Sequence, residues 1–365
     1  MKNFIIIFMT IAILNSCSRN EDVVKIGAIL PLTGSAAIWG QNVKRGIDLA
    51  KDKLNSMGGV NDSKIVLLYE DSEGKPEKSV SAFQKIFTTD KPIAIIGDVA
   101  SSSVLAMAPL ANRNKIVILS PGASNPDITN AGDYVFRNWH SDAAEGSYLA
   151  EISLYKLHMK KIAIIYVNNG YGKGLENVFS KKFTEIGGQI VESEAFEQGA
   201  TDFRSQLTKI KAVNPDGIFL PGYPKEIPEV LKQSKSLNVN KQFLCPSAFE
   251  DQQTLDLAGN SANGVIYDYP KQGDTSKSYV KEFYSDYFKK YNISPGALSD
   301  NGYDALMLIV EAIKIKGMSR EQIKEGLYSI KDYPGVAGNT TFDENGDIKK
   351  EFILKTVKNQ KFIEY

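Results

Sequence analysis

At 365 residues the chain is longer than one ordinary compact domain. Domains usually contain about 100–200 residues, so the length predicts two. Its 42% hydrophobic and 24% charged residues exclude a disordered or membrane-embedded protein, and its 43 basic and 43 acidic residues cancel, which argues against binding nucleic acid or an acidic membrane surface. Two cysteines and two histidines leave little material for a metal site, so we expect no metal, no cofactor, and a ligand held by hydrogen bonds and shape.

The first segment is predicted to direct export. Residues 1–16 contain one lysine and a nearly unbroken apolar run from Phe4 to Leu14. As a helix this run extends about 16 Å, roughly half the thickness of a membrane's hydrocarbon core, so it is too short to span. Its length and polarity are typical of a signal-peptide core, and the polar residues that follow make a buried strand the weaker alternative.

The stretch LNSC (14–17) resembles the lipobox of bacterial lipoproteins, with Asn15 as a less usual choice. The resemblance implies cleavage before Cys17, diacylation of that cysteine, and a tether over 17–22. Each buried methylene of the acyl chains contributes about 0.8 kcal/mol, so the anchor would be firm. A plain secretory signal with an incidental cysteine is the alternative. Cys245 would then be the lone internal cysteine, and we expect it to be a small buried hydrophobe.

From Val23, short β-branched runs alternate with amphipathic stretches. In the helix predicted over 41–57, apolar residues recur at steps of three and four, and Gly58 and Gly59 end it. This strand–helix alternation predicts right-handed βαβ units and a parallel sheet. The predicted elements are strands over 24–30, 64–69, 93–96 and 116–119 and helices over 41–57 and 77–88.

The same alternation restarts after residues 139–141 and predicts a second doubly wound unit. No Pro- or Ser-rich linker separates the halves, which favours lobes joined by several short crossings. The fold class is therefore predicted to be α/β with two doubly wound parallel-sheet lobes. The predicted elements are helices over 142–157, 175–186, 203–213 and 225–237 and strands over 161–167, 189–196, 217–220 and 242–244.

Polar turns follow two neighbouring strands of the first unit. Ligands of open parallel sheets bind beyond the carboxyl ends of strands, at helix N-termini. Residues 97–103 contain three consecutive serines, and residues 120–126 contain Gly122 and Ser124. For either turn alone, ordinary helix capping is the more common role. Their occurrence at neighbouring strand ends favours a site for an anionic group.

Aromatic residues follow the strands of the second unit. Tyr171 and Tyr223 each follow one strand, residues 245–251 follow another, and Trp39 lies in the first loop of the first unit. One such aromatic is usually rim packing, but several at the mouths of two facing sheets predict a cleft with an apolar side and a polar end.

These segments resemble the periplasmic substrate-binding proteins of branched-chain amino-acid ABC transporters, the Leu/Ile/Val-binding type of the type I periplasmic binding proteins. The resemblance extends over essentially the whole mature chain. The most recognisable stretch is VKIGAILPLTGSAAIWGQNVKRGIDLAKDKLNSMGG, and the supporting blocks are IIGDVASSSVLAMAPLANRNKIVILSPGASNP, IAIIYVNNGYGKGL, DGIFLPGY and NGYDALMLIVEAI.

The resemblance implies ligand contacts residue by residue. Ser101 and Ser124 match the hydroxyls that hold the ligand α-carboxylate, and Gly122 matches a backbone contact to the amino-acid head. Trp39 matches an aromatic beside the ligand side chain, and the cleft residues of the second lobe are matched by Tyr171 and Tyr223.

The sequence departs from the family pattern in three places. Ser247 stands where type members carry a carboxylate for the ligand ammonium, and Glu250 or Asp251 is the expected substitute. Glu73 and Ala100 occupy the positions of a disulfide near the first cleft loop. The third departure is Leu298, which stands where an aromatic lines the side-chain pocket.

The resemblance also implies an N-terminal lobe of residues 23–140 and 271–335 and a C-terminal lobe of residues 141–270 and 336–365. The three crossings between the lobes are expected near Asn138–Asp142, Tyr269–Gly273 and Tyr333–Gly338.

The implied function is capture of a small amino acid, with the branched-chain type favoured, and its delivery to the permease of an ABC transporter. The protein would be held at the membrane by its lipid anchor, facing the periplasm or the extracellular side. A ligand-sensing or regulatory lipoprotein, or binding of an amide or another small carboxylate, is the alternative. We expect no enzyme, because the neighbouring His140, Ser141 and Asp142 have the residue types of a catalytic triad but not its geometry.

Overall fold

The structure, a computed structural model, describes residues 23–365. The predicted signal peptide, the lipidation site Cys17 and the tether lie outside the described residues. Two sheets surrounded by helices form two lobes, which confirms the predicted α/β class with two doubly wound parallel-sheet units. Within residues 23–365, none of the helices combines the length and apolar character needed to cross a bilayer.

The first lobe is built on a five-stranded sheet in the order β2-β1-β3-β4-β5, with every neighbouring pair parallel. Parallel strands covered on both faces are continuous apolar runs, and β3 and β4 are buried at every position. The elements of this part of the chain are β1 (Val23–Leu30), α1 (Ala37–Ser56), β2 (Lys64–Asp71), α2 (Pro76–Thr89), β3 (Ala94–Gly97), α3 (Ser101–Asn114), β4 (Val117–Ser120) and β5 (Val135–Arg137).

The second lobe is built on a seven-stranded sheet in the order β14-β13-β10-β9-β8-β6-β7, in which only β13 and β14 are antiparallel to their neighbours. Helix α4 was expected to reach residue 157 but ends at Glu151 and continues as a π-helical turn over Ile152–Lys156. The elements are α4 (Asp142–Glu151), β6 (Lys161–Val167), α5 (Gly170–Glu185), β7 (Gln189–Phe196), α6 (Arg204–Val213), β8 (Gly217–Phe219), α7 (Glu226–Ser236), β9 (Gln242–Cys245), α8 (Gln252–Ala258) and β10 (Ile266–Pro270).

After β10 the chain returns to the first lobe, where α10 packs along α1 and α11 packs on α10. A short hairpin follows, and the last two strands then join the second sheet. The elements are α9 (Ser278–Tyr291), α10 (Ser299–Lys316), α11 (Arg320–Ser329), β11 (Tyr333–Gly335), β12 (Gly338–Thr340), β13 (Phe352–Lys358) and β14 (Lys361–Glu364).

The third crossing lies later in the chain than the sequence predicts. Residues 341–347 still pack on the first lobe, because the ring of Phe342 contacts Phe136 at 5.5 Å between centroids and the backbone N–H of Arg137 donates to Gly346 at 3.0 Å. The crossing expected at 333–338 is therefore corrected to 348–351, immediately before β13. The polar character of residues 341–347 hid this packing from the sequence.

Candidate ligand-binding site

The strand ends of the two sheets face each other across a small cavity. It is narrow in this closed form, with only about 10 Å³ open to the centre of a water-sized sphere. Residues of both lobes and of the first crossing form its wall, and these are Trp39, Val99, Gly122, Ser124, Trp139, Glu145, Tyr171, Ser247, Ala248 and Leu298.

Trp39 connects the two lobes at one side of this cavity. Its ring, in the first turn of α1, meets Tyr171 and Tyr223 edge-on, with centroids 6.2 Å and 5.2 Å away. Its indole N–H donates to the backbone oxygen of Ala248 at 3.2 Å. The three predicted aromatics therefore form one cluster, in which Trp39 and Tyr171 line the cavity and Tyr223, stacked on Tyr171 with centroids 5.7 Å apart, lies outside the cavity wall.

The serine-bearing turns of the first lobe are brought together as predicted, but they differ in role. Gly122 and Ser124 line the cavity. The hydroxyl of Ser101 instead accepts hydrogen bonds from the backbone N–H groups of Ser124 and Asn125, each at 3.2 Å. A Cβ at Gly122 would lie 2.8 Å from the Leu298 side chain, so only glycine leaves this wall of the cavity open.

Arg137 fixes the conformation of the same turn. Its guanidinium is fully buried and donates to the backbone oxygens of Ser124 and Asn125, both at 2.9 Å. It also forms a bidentate pair with Asp347, with both N–O distances 2.7 Å. The turn that faces the ligand cavity is thus fixed by a buried cation that sequence reasoning did not single out.

A carboxylate enters the cavity beside Ser247, as the ligand-ammonium hypothesis requires, but it comes from a different residue. Glu145 on α4 is 1% exposed and accepts the backbone N–H of Ser247 at 2.7 Å. Its second oxygen lies 3.3 Å from Nε2 of His140. Burial opposes ionisation of Glu145, but His140 and Ser247 outweigh it and lower the pKa of this carboxyl below its ordinary value.

Glu250 and Asp251, the residues expected to supply that carboxylate, lie elsewhere. Glu250 pairs with Lys355 at 2.6 Å and accepts from the Tyr267 hydroxyl at 2.7 Å. Asp251 caps α8 and accepts from the Asn42 side chain at 2.8 Å. Both border a larger surface groove on the flank of the lobes. The expectation that either one faces the cavity is corrected, because each is already held by partners outside it.

Two further carboxyl groups lie behind Glu145. Asp142 and Asp268 are both fully buried, and their side-chain oxygens accept no hydrogen bond of good geometry among the described residues; Ser124 and Glu145 lie near Asp142, and Glu145 lies near Asp268. Burial and the neighbouring charge of Glu145 raise the pKa of both groups well above the ordinary value. We call Asp142, Glu145, Asp268 and His140 the buried carboxyl cluster.

Two groups of the cavity wall have features that the fold alone does not explain. The hydroxyl of Tyr171 is buried without a hydrogen-bond partner among residues 23–365. Leu298 has a left-handed backbone with φ 68°, which a bulky side chain adopts only at a cost of about 1–3 kcal/mol. Unsatisfied polar atoms and local strain are concentrated at ligand sites, so both features favour a ligand site here.

The lobes are closed on each other around the cavity. Asn42 of α1 binds Asp251 across the gap, and the side-chain amide of Asn125 donates to the backbone oxygen of Gly170. Gln198 reaches the backbone oxygen of Glu73 at 3.4 Å. The cavity is therefore enclosed by contacts that exist only when the two lobes meet.

Comparison with known proteins agrees with this arrangement. A family model described as periplasmic binding protein matches residues 23–361. The Leu/Ile/Val-binding protein homolog 3 of Brucella melitensis is 27% identical over 328 residues, which cover 89% of this chain and 88% of that protein.

Two solved structures match over nearly the whole length. The leucine-binding protein LivK from Thermotoga maritima has a TM-score of 0.88 and 30% identity, and the match covers 94% of this chain and 97% of that chain. The branched-chain amino-acid binding protein LivJ from Streptococcus pneumoniae, in complex with isoleucine, has a TM-score of 0.86 and 27% identity, with coverage of 93% and 98%.

Proposed function

We propose that this chain, which belongs to the periplasmic binding protein family, captures a small α-amino acid between its lobes and delivers it to the permease of an ABC transporter. Branched-chain amino acids are the first candidates, because the relatives named above are Leu/Ile/Val- and leucine-binding proteins. The observation that carries the proposal is the buried carboxylate of Glu145 at the cavity wall.

The cavity suits a dipolar head group. The turn with Gly122 and Ser124 offers the Ser124 hydroxyl to a carboxylate, and Glu145 offers a negative charge to an ammonium group. Val99 and Leu298 provide an apolar wall for an aliphatic side chain. An arenecarboxylate or another acid without an amine would bring no cationic group to Glu145 and would add a second negative charge beside it, which is unfavourable at a buried site.

Capture and closure are coupled in this proposal. The turns of the first lobe bind the ligand in the open state, and closure then adds Tyr171, Ser247 and Glu145. A ligand that touches both lobes stabilises the closed state by its extra contacts there. The closed form is what the permease would receive.

The anchor belongs to the same proposal. Cleavage before Cys17 and acylation of that cysteine would keep the protein at the membrane, facing the periplasm or the extracellular side. Metabolic labelling with a palmitate analogue checks this, since the Cys17→Ser variant would incorporate no label.

Calorimetry on the full-length chain, purified in detergent and freed of co-purified ligand, tests ligand binding. We expect one of L-leucine, L-isoleucine and L-valine to bind, and benzoate not to bind. Glu145→Gln keeps the shape but removes the charge, so affinity should fall about 10- to 100-fold, as loss of a charged hydrogen bond predicts.

Glu250→Gln is the matched control, because Glu250 is the alternative carboxylate and lies outside the cavity. Its affinity should stay within about twofold of the wild type. Equal affinities for wild type and Glu145→Gln, or tighter binding of benzoate than of every amino acid, would overturn the proposal.

A further inference from the structure

The buried carboxyl cluster carries more negative charge than one ligand ammonium and one histidine can balance. Its four side chains, His140, Asp142, Glu145 and Asp268, are at most 1% exposed. If all three carboxyls were ionised and His140 were charged, two negative charges would remain in a site closed to water. Burying an uncompensated charge is far more costly than binding a proton, so the ligand-free cluster must hold protons when the lobes are closed.

The contacts of the three carboxyls indicate which of them hold the protons. Glu145 is already satisfied by Ser247 and His140, whereas the side-chain oxygens of Asp142 and Asp268 accept no hydrogen bond of good geometry among residues 23–365. Both aspartates lie close to Glu145, to which a protonated carboxyl can donate. The raised pKa of both aspartates agrees with this assignment, since burial disfavours their charged forms and the charge of Glu145 adds to that effect.

We propose that binding of the ligand ammonium at Glu145 releases to solvent a proton held on Asp142 or Asp268, so that these two positioning residues couple ligand affinity to pH. This inference rests on the proposed function, because it requires a cationic group at Glu145. The exchange is balanced: the cluster loses one proton to the buffer and gains one positive charge from the ligand.

The surroundings allow this exchange. Ser124 and the Arg137 guanidinium lie toward Asp142, and Tyr148 lies toward Asp268. Tyr171 faces both Glu145 and Asp142. Burial and those two charges raise the pKa of the Tyr171 hydroxyl well above its ordinary value, so this hydroxyl stays neutral. The groups that face the cluster are thus Arg137 from β5, Tyr148 from α4, Tyr171 from α5, Tyr223 from the loop after β8 and, through Tyr171, Cys245 from β9.

The sign of the pH dependence follows from linkage. Because the bound state holds fewer protons than the free state, affinity rises with pH, by up to about tenfold per pH unit where one full proton is released. The rise ends above the pKa of the free cluster, where no proton remains to be released. A ligand site without this cluster would show a flat profile over the same range.

The experiment is calorimetry of L-leucine, L-isoleucine and L-valine on the full-length protein in buffers of different ionisation enthalpy, repeated between about pH 6 and pH 8. The observed heat should depend on the buffer, with up to about one proton released per ligand. Asp268→Asn and Asp142→Asn should each reduce the released protons and flatten the pH profile. Asp304→Asn is the control, because Asp304 is a buried carboxyl on α10 with a raised pKa of about 7 and lies outside the cavity wall.

The outcomes separate the two proposals. Buffer-dependent heat that persists in Asp304→Asn and is reduced in Asp268→Asn or Asp142→Asn supports proton release. Amino-acid binding with heat independent of buffer overturns proton release and leaves the proposed function standing. An absence of amino-acid binding overturns both. Should one aspartate variant fail to fold, the wild-type buffer dependence and the other variant still decide the matter.

Discussion

At the scale of single residues, Arg137 connects stability to the ligand site. Its fully buried guanidinium joins the Ser124 turn to Asp347, which belongs to the segment just before the third crossing. A buried pair of this kind is costly to break, because the remaining partner is left without compensation. One side chain therefore holds together a binding turn of the first lobe and the start of a hinge segment.

Replacing Arg137 by methionine keeps most of the volume and removes the charge. We expect Arg137→Met to lower the free energy of unfolding by about 3–5 kcal/mol, as loss of one partner of a buried pair predicts, and to weaken amino-acid binding because the Ser124 turn loses two donors. Urea unfolding and calorimetry measure the two effects.

Arg204→Met is the control, since Arg204 forms an exposed pair with Asp202. That variant should leave both unfolding and binding essentially unchanged. Wild-type stability in Arg137→Met would contradict a structural role for the buried pair.

At the scale of elements, α1 and α10 approach each other through two glycines. A Cβ at Gly46 would lie 1.9 Å from the backbone oxygen of Ser299, and a Cβ at Gly302 would lie 2.5 Å from the backbone oxygen of Val43. Backbone atoms cannot move aside as flexible side chains do. The close packing of these helices therefore depends on glycine on both sides.

Gly46→Ala should force α10 away from α1 and lower the free energy of unfolding by about 1–3 kcal/mol, as overpacking of a close interface predicts. Because Leu298 of the cavity wall immediately precedes α10, ligand affinity should fall as well. Chemical unfolding and calorimetry check both effects. Ser56→Ala, at the exposed end of the same helix, is the control and should change the free energy of unfolding by less than about 0.5 kcal/mol. If both variants lose a similar amount of stability, the close packing of α1 on α10 is not the cause.

The elements that the sequence predicts well are those with continuous apolar runs. Strands β3 and β4 are buried on both faces, so each appears in the sequence as an uninterrupted apolar run. Strand β5 was missed because it has only three residues and contains the buried Arg137, a residue type that sequence patterns place at the surface.

The candidate site was predictable on one side only. The turns with Ser124 and Tyr171 follow strands, and parallel strands bring their carboxyl ends to one edge. Glu145 was missed because it lies one turn inside α4, and its place depends on how the first crossing docks that helix. The sequence does contain a signal for this carboxylate. His140, Asp142 and Glu145 are three titratable residues within a six-residue stretch at the predicted first crossing.

At the scale of the whole molecule, binding depends on the equilibrium between open and closed lobes. The closed state brings Ser102, in the first turn of α3, against Gly170 at the start of α5. A Cβ at Gly170 would lie 3.4 Å from that of Ser102, close to the separation of about 3.5–4.5 Å found in disulfides. These two residues belong to different lobes and approach each other only on closure.

A Ser102→Cys/Gly170→Cys variant should therefore form an interlobe disulfide and trap the closed state. We expect the oxidised protein to retain a preloaded labelled amino acid through dialysis. When it is crosslinked without ligand, it should take up ligand far more slowly than the wild type.

Reduction of the disulfide should restore ligand exchange. Each single-cysteine variant should exchange ligand like the wild type, since the native Cys245 is fully buried and unable to crosslink. Mass spectrometry of the crosslink and ligand-retention assays provide the measurements. If the crosslinked protein exchanges ligand at the wild-type rate, the ligand does not enter between the lobes, and the cavity bounded by Trp39, Tyr171 and Glu145 is not its site.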